Sequence, residues 1–568
     1  MTSTLAAEGV LSFNTNALDY VLIAVYFVFV LGIGYVARRQ LSTSLDFFLS
    51  GRRLPAWVTG IAFVSANLGA VEIMGMSANG AQLGLATMHY YWIGAIPAML
   101  FLGIVMMPFY YGSKVRSVPE FMRKRFDTKA HLVNAISFAV AQILIAGVNL
   151  FLLATVVKVL LGWSLWVSLI VAAAIVLTYT VLGGLSAAIY NEVLQFFVIL
   201  AALVPLTVIG LIKIGGWSGL KDKVVPTVTD GTVTASAGEQ LSSWPGQALS
   251  GFDSPILSVI GIVFGLGFVL SFGYWTTNFV EVQRAMASSS MSAARRAPII
   301  GAIPKMLVPF VVVVPGMIAA AAIGDMINLK ENGTGDITYN DAMLLMMRDI
   351  LPNGLLGVAV AGLMAAFMAG MAANISAFNT VFSYDLWQQY IVKNREDGYY
   401  ITVGRVATFA ATILAIFTAL IASGYSNLMD YLQTLFGFFN APLFATFILG
   451  MFWKKMTPAA GWIGLVSGTS AAVLVFILSE VGVINLPGQG MPFVAASAAF
   501  VVDIVVSIGV SMVTQPKPVK ELVGFVYSET PRDMFTDPED ATNPWYKRPV
   551  PLAGFALGLV VVLNIVFH

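Results

Sequence analysis

Two ionisable side chains stand where such groups are costly. Glu72 is flanked by Val71 and Ile73, and Lys305 lies in 301-GAIPKMLVPF-310, with apolar neighbours on both sides. An ionisable group in hydrocarbon costs ~2.5–3.5 kcal/mol on insertion scales, so one that persists is expected to bind a solute or move a proton. Two structural readings stand beside that one. The residues can form a buried ion pair, or the lysine can lay its stem in lipid and reach the interface with its ammonium. Other chemistry lacks its residues. His89, His131 and His568 are widely separated, no HExxH or phosphate-binding GxxxxGK[ST] occurs, and there is no cysteine. Thiol chemistry, disulfides and thiolate metal sites are therefore absent, and neither an enzyme nor ATP-driven transport is expected. No filter-like loop or ring of charges points to a channel.

The elements that hold this pair are apolar almost from end to end. Of 568 residues, 58% are hydrophobic and only 10% charged, against about 25% charged in soluble domains. A hydrocarbon core of ~30 Å takes roughly twenty apolar residues per helix. Such stretches occur at about 18–37, 56–80, 89–111, 132–157, 163–182, 187–212, 256–281, 297–324, 350–384, 402–423, 427–452, 458–480, 493–514 and 550–567. They predict an all-α integral membrane protein of about fourteen transmembrane helices, one domain over 1–568. The long polar stretches, 217–252 and 515–549, are too poor in apolar residues for a core of their own. The first reads as an outer loop, and 528–551, rich in proline and acid, as a disordered linker.

Most of the 30 basic residues fall in alternate loops, among them Arg38, Arg39, Arg52, Arg53, Arg116, Arg123, Lys124, Arg125, Arg284, Arg295, Arg296, Lys454 and Lys455. The positive-inside rule puts these loops in the cytoplasm and both termini outside a multi-pass cell membrane. The first seventeen residues lack a signal-peptide pattern, so the first span is expected to serve as its own insertion signal. A net charge of +1 implies no nucleic-acid partner; the bilayer is the partner the composition demands.

Two segments rich in small residues, 61-IAFVSANLGAVE-72 and 261-GIVFGLGFVLSFGYW-275, occupy matching positions in two halves. Interrupted helices so placed point to an inverted repeat with a binding site at the midplane. Ordinary close packing of membrane helices explains the same residues.

The chain resembles the sodium/solute symporter family, and within it the sodium–sugar branch. The likeness runs from about 15 to 480 and rests on 46-DFFLSGRRLP-55, 65-SANLGAVEIMGMSANG-80, 118-VPEFMRKRF-126, 183-GGLSAAIYNEVLQ-195, 299-IIGAIPKMLVPFVVVVPG-316 and 449-LGMFWKK-455. It implies a five-plus-five inverted-repeat transporter fold with an extra N-terminal helix at 18–37. The repeats would be 56–212 and 256–452, and three further helices would fill 458–567. It also implies uptake of a small polar solute, a sugar by branch, driven by an ion gradient.

By family position the solute contacts are Glu72, Tyr91, Ser271, Lys305 and Gln433. Tyr274 stands as the inner gate, and Met76, Tyr90 and Met429 as the outer lid. An acid replaces an amide at Glu72, Tyr91 replaces a glutamate, Ser271 an asparagine and Gly94 a serine. A lost hydrogen bond in a buried polar site can cost ~10⁴-fold in discrimination, so galactose itself does not carry over. A different sugar or another small polar metabolite is expected, and a cationic group or several donors would suit Glu72 and Tyr91. Taken singly, Tyr91, Ser271 and Gln433 read equally well as helix-to-helix hydrogen bonds.

The resemblance also implies a coupling sodium between the break in the second span and the ninth span, held by carbonyls and two adjacent serine hydroxyls. The matching positions are Ser65, Leu68, Ala366, Ala369 and Gly370, so both hydroxyls are missing. Ser65 adds one, while Asn374, Ser376 and Asn379 lie further along the ninth span. A threonine–aspartate pair on the family's inner exit path reads Asn191–Glu192 here. Three kinds of coupling stay open: sodium at a weakened site, a proton carried by Glu72, or a substrate-gated sensor with weak or no coupling. No cofactor is expected beyond the coupling ion.

Overall fold

A computed structural model describes residues 11–38, 52–69, 71–229, 231–333, 335, 337–425, 427–486 and 488–568. Arg39, Ala70 and the part of the 46–55 motif before Arg52 lie outside these residues. Eleven helices among them are long and apolar enough to cross a bilayer. A twelfth crossing is a bent pair, α2 (Ala56–Asn67) and Val71–Met88, which meet at 56°. The start of α1 (Ala17–Arg38) and the stretch Leu165–Thr178 are shorter apolar helices. Tyr90–Gly112 is α4, Thr128–Leu161 is α5, and α6 spans Leu165–Ile214.

Glycine contacts align the bent pair with its neighbour. In α9 (Met291–Lys305), a Cβ added at Gly301 would lie 2.9 Å from the Gly60 carbonyl, and one at Gly60 would lie 2.9 Å from the Ala297 carbonyl. Small residues that let membrane helices approach this closely fix the register between them. The helix α3 (Met76–Leu83) packs in the same way on α10 (Val308–Ala322), where a Cβ at Gly316 would collide with the Ser77 carbonyl. Between the two contacts both chains are interrupted. The first helix stops at Asn67 and resumes as a wide π turn at Val71–Gly75, while α9 ends at Lys305 between Pro304 and Pro309. Each proline removes a backbone donor from the ladder. Asn67, Glu72 and Lys305 are thereby brought to one level.

The second interruption differs from the expectation. Along α7 (Pro255–Thr277), residues 261–271 stay helical in a widened π form, and the chain turns extended only at Asn278 (φ −71°, ψ 115°). The small residues of 261–275 serve packing: Cβ atoms at Gly265 and Gly267 would lie 3.0 Å from Phe493 and Ile93. Asn278 starts α8 (Phe279–Met286), its side chain accepting the Val280 N–H at 3.0 Å as an N-cap does.

Helix α11 (Leu355–Thr380), continuing to Ile391, is the most enclosed span and packs on α5 and α6. It is followed by α12 (Asp397–Ala422) and α13 (Leu428–Phe452). The last three spans are α14 (Pro458–Glu480), α15 (Gly490–Val513) and α16 (Pro549–Val566).

Both polar stretches are folded. In 217–252 a two-stranded antiparallel hairpin, β1 (Thr227–Thr229) and β2 (Thr232–Ala235), sits over α3, with Thr227 Oγ1 donating to the Gln82 carbonyl at 2.7 Å. In 528–551 the acids dock on the start of α9. Arg296 pairs with Glu539 at 2.7 Å and Arg295 with Asp540 at 3.0 Å, and Asp537 accepts the Ser292 N–H at 2.8 Å. Composition alone read this segment as disordered. Its carboxylates instead match two arginines and the positive end of a helix.

Candidate functional site

The interruptions enclose a cavity of about 110 Å³. Glu72, Tyr91, Ser271, Lys305 and Gln433 all line it, as do Met76, Tyr90, Tyr274, Met429 and Gly370. At its centre Lys305, 1% exposed, donates to both Glu72 oxygens at 2.5 Å and to the Asn67 amide oxygen. The ammonium also lies 5.2 Å from the Trp275 ring centroid and 5.3 Å from that of Tyr91, a favourable cation–π arrangement. The carboxylate that meets the lysine stands on the interrupted helix, at 72. Ser271 and Gly94 are matched, because a side chain at 94 would collide with Ser271 Oγ.

Tyr274 joins the two interruptions. Its hydroxyl accepts from Asn67 Nδ2 at 2.9 Å and donates to Glu281 Oε1 at 2.9 Å, and its ring packs on Phe436 with centroids 4.5 Å apart. On the opposite side, Met76, Tyr90 and Met429 are buried, Gln433 donates to Met429 Sδ at 3.3 Å, and Tyr90 donates to Gln489 Oε1 at 2.9 Å. Gln489 donates in turn to Asp430.

Glu192 lies away from the cavity wall. Arg284 holds both of its oxygens, at 2.6 and 3.3 Å, and also donates to the Val280 carbonyl at 2.9 Å. The side chain of the adjacent Asn191 is buried with no hydrogen-bond partner.

Of the residues matched to the sodium site, Ser65 and Leu68 lie on the interrupted helix and Ala366, Ala369 and Gly370 on α11. The two meet at Gly69, where an added Cβ would lie 3.2 Å from Gly370 Cα and 3.6 Å from the Ala366 carbonyl oxygen. Ser65 is fully buried and its Oγ has no partner. Asn374 lines the cavity, whereas Asn379 donates to Thr408 Oγ1 at 2.9 Å.

Four further residues belong to this region: Asn67, Asn149, Trp275 and Glu281. Glu281 is fully buried, and its second oxygen has no partner. Its signal in the sequence is a carboxylate three residues before Arg284, at the end of an apolar stretch. The three neutral residues carry no comparable signal.

A cavity lined by buried polar and aromatic side chains between bent, packed helices suits a membrane transporter. The model of the sodium:solute symporter family matches residues 47–468, and the chain belongs to that family. It is 29% identical to a sodium/glucose cotransporter of Vibrio parahaemolyticus over 80% of this chain and 84% of that one. With a mouse sodium/myo-inositol cotransporter 2 it shares 28% identity over 82% and 70% of the two chains. Among solved structures, a Na+-coupled sialic acid symporter in a substrate-bound outward-open state superposes with a TM-score of 0.70 at 18% identity. That match covers 88% of this chain and 99% of the other, and at this identity it speaks for the fold alone.

Proposed function

We propose that this protein is a sodium-driven symporter for a small, neutral, polyhydroxylated solute, a sugar or a cyclitol. The reading rests on the Lys305–Glu72 clamp. Among the described residues that line the cavity, Lys305 is the sole cation and faces Glu72, with Glu281 as a second carboxylate. No positive charge is left over for an anionic solute. Asn67, Ser271 and Gln433 offer donors and acceptors to hydroxyls, and Trp275 and Tyr274 offer faces to a ring. The relatives named for glucose and for myo-inositol both fit that class. Family membership supports sodium as the driving ion, and the engagement of Glu72 by Lys305 argues against Glu72 as a proton carrier.

In this reading Tyr274 is the inner gate, and Met76, Tyr90 and Met429 form the outer lid. The segments 56–212 and 256–452 act as inverted repeats. The chain lies in the cell membrane with both termini outside, as the basic loops direct. Glu192 lies on the ion's inner exit path.

Proteoliposomes given an inward sodium gradient at constant pH should accumulate labelled glucose or myo-inositol above equilibrium, and an imposed proton gradient without sodium should not. Accumulation driven by the proton gradient alone, or by neither, overturns the proposal.

A further inference from the structure

The sodium site is short of two hydroxyls, yet one unassigned oxygen enters it. Asn149, on α5, is 3% exposed. Its Nδ2 donates to the Ile145 carbonyl at 3.2 Å, but its Oδ1 has no partner. A buried amide oxygen without a partner forfeits about 1–3 kcal/mol of desolvation, which a bound cation would recover.

That oxygen points at the meeting of the break with α11. A Cβ built on Gly370 would lie 2.9 Å from Asn149 Oδ1, and one built on Gly69 would lie 3.4 Å from it. The Ala366 carbonyl faces the same point. Here the helical ladder is also interrupted. Leu68 N–H reaches back to the Val64 carbonyl at 2.8 Å, while the N–H groups of Glu72 and Ile73 both go to the Gly69 carbonyl at 3.1 Å. Among the described residues no loop or cap N–H reaches the carbonyls of Ser65, Ala66, Asn67 or Leu68, which suits them to face a cation, as in other broken transporter helices.

We propose that Asn149 Oδ1 is a sodium ligand, occupying the space vacated by the side chain at 370. The glycine and the asparagine are two halves of one replacement. Any side chain at 370 would crowd the amide, and without the amide the site loses its one side-chain oxygen at that corner. A hard cation takes such neutral oxygens readily. The inference rests on sodium as the driving ion and names how this chain holds it.

The test is sodium-dependent thermal stabilisation of the purified full-length protein, titrated against choline at constant ionic strength. Ligand binding to the folded state raises the midpoint in proportion to ln(1 + [Na+]/Kd). Asn149→Ala should raise the half-saturating sodium concentration about tenfold or more, in line with the loss of a charge-assisted oxygen contact. Gly370→Ser added to Asn149→Ala should bring it back towards the starting value, since a hydroxyl then fills the emptied space. Asn149→Asp, which keeps an oxygen in place, should bind sodium no more weakly than the natural chain.

An unchanged half-saturation in Asn149→Ala overturns the assignment, as does an Asn149→Asp protein as weak as Asn149→Ala. If the natural chain itself gains no stability from sodium, both the ligand and the sodium reading fail. A sodium response that survives in Asn149→Ala at an unchanged half-saturating concentration removes this ligand alone.

Discussion

Lys305 is held in place by what surrounds it. Removing one partner of a buried, hydrogen-bonded ion pair strands the other charge, at a cost of about 3–5 kcal/mol. Lys305→Met and Glu72→Gln should therefore each lower the thermal midpoint of the purified protein and abolish uptake. Lys305→Met combined with Glu72→Gln should recover much of the midpoint without recovering uptake. Equal midpoints for the single variants and the natural chain would show that the pair is not the clamp described. Lys305 and Glu72 were legible because a charge inside an apolar run stands out against its neighbours. Asn149 and Asn67 were not, since an uncharged amide in a helix is unremarkable until its partners are known. The nearest signal for Asn149 is indirect: two positions where the resemblance implies serine read alanine and glycine, and the proposal has an asparagine oxygen stand in for them.

Among the elements, the region around the hairpin carries an unusual lysine. Lys330 is 1% exposed in the short helix Gly324–Asn332, and its Nζ donates to Gln240 Oε1 at 2.5 Å. Burial pushes its ammonium down to about 7, against about 10.4 for a free lysine. The folded protein thus sheds this proton near pH 7, while the unfolded chain keeps it to about pH 10.4. Between those values the unfolded state binds more protons, so this group's contribution to stability rises with pH; below 7 both states are charged and the burial penalty is fully present. Lys330→Met should accordingly raise the midpoint at pH 6–7, by about 1–3 kcal/mol of stability. The gain should shrink towards pH 10 in thermal melts run across that range, and a gain independent of pH would refute the assignment. At this scale the sequence conveyed where apolar helices lie, because hydrocarbon imposes length and composition on every crossing, but the two spans read at 163–182 and 187–212 fall in one continuous helix, α6. The sequence misplaced the second interruption, because glycine reads alike whether it breaks a helix or lets a neighbour approach. It also missed the docking of 537–540, whose partners lie some 240 residues earlier.

For the whole molecule, the proposed symport takes the bent pair and the turn at Asn278 through opposed states together. Tyr274 bonds to residues at both interruptions, accepting from Asn67 and donating to Glu281. Tyr274→Phe keeps the ring against Phe436 and removes both hydrogen bonds. The ratio of sodium to solute crossing proteoliposomes, measured with both species labelled, should rise several-fold, while equilibrium solute binding changes by less than about threefold. An unchanged ratio would leave the hydroxyl a packing detail. If the ratio does rise, a single phenol acts as a clutch between two hinges, and the tightness of that clutch sets how much of the cell's sodium gradient slips away in idle strokes that carry no cargo.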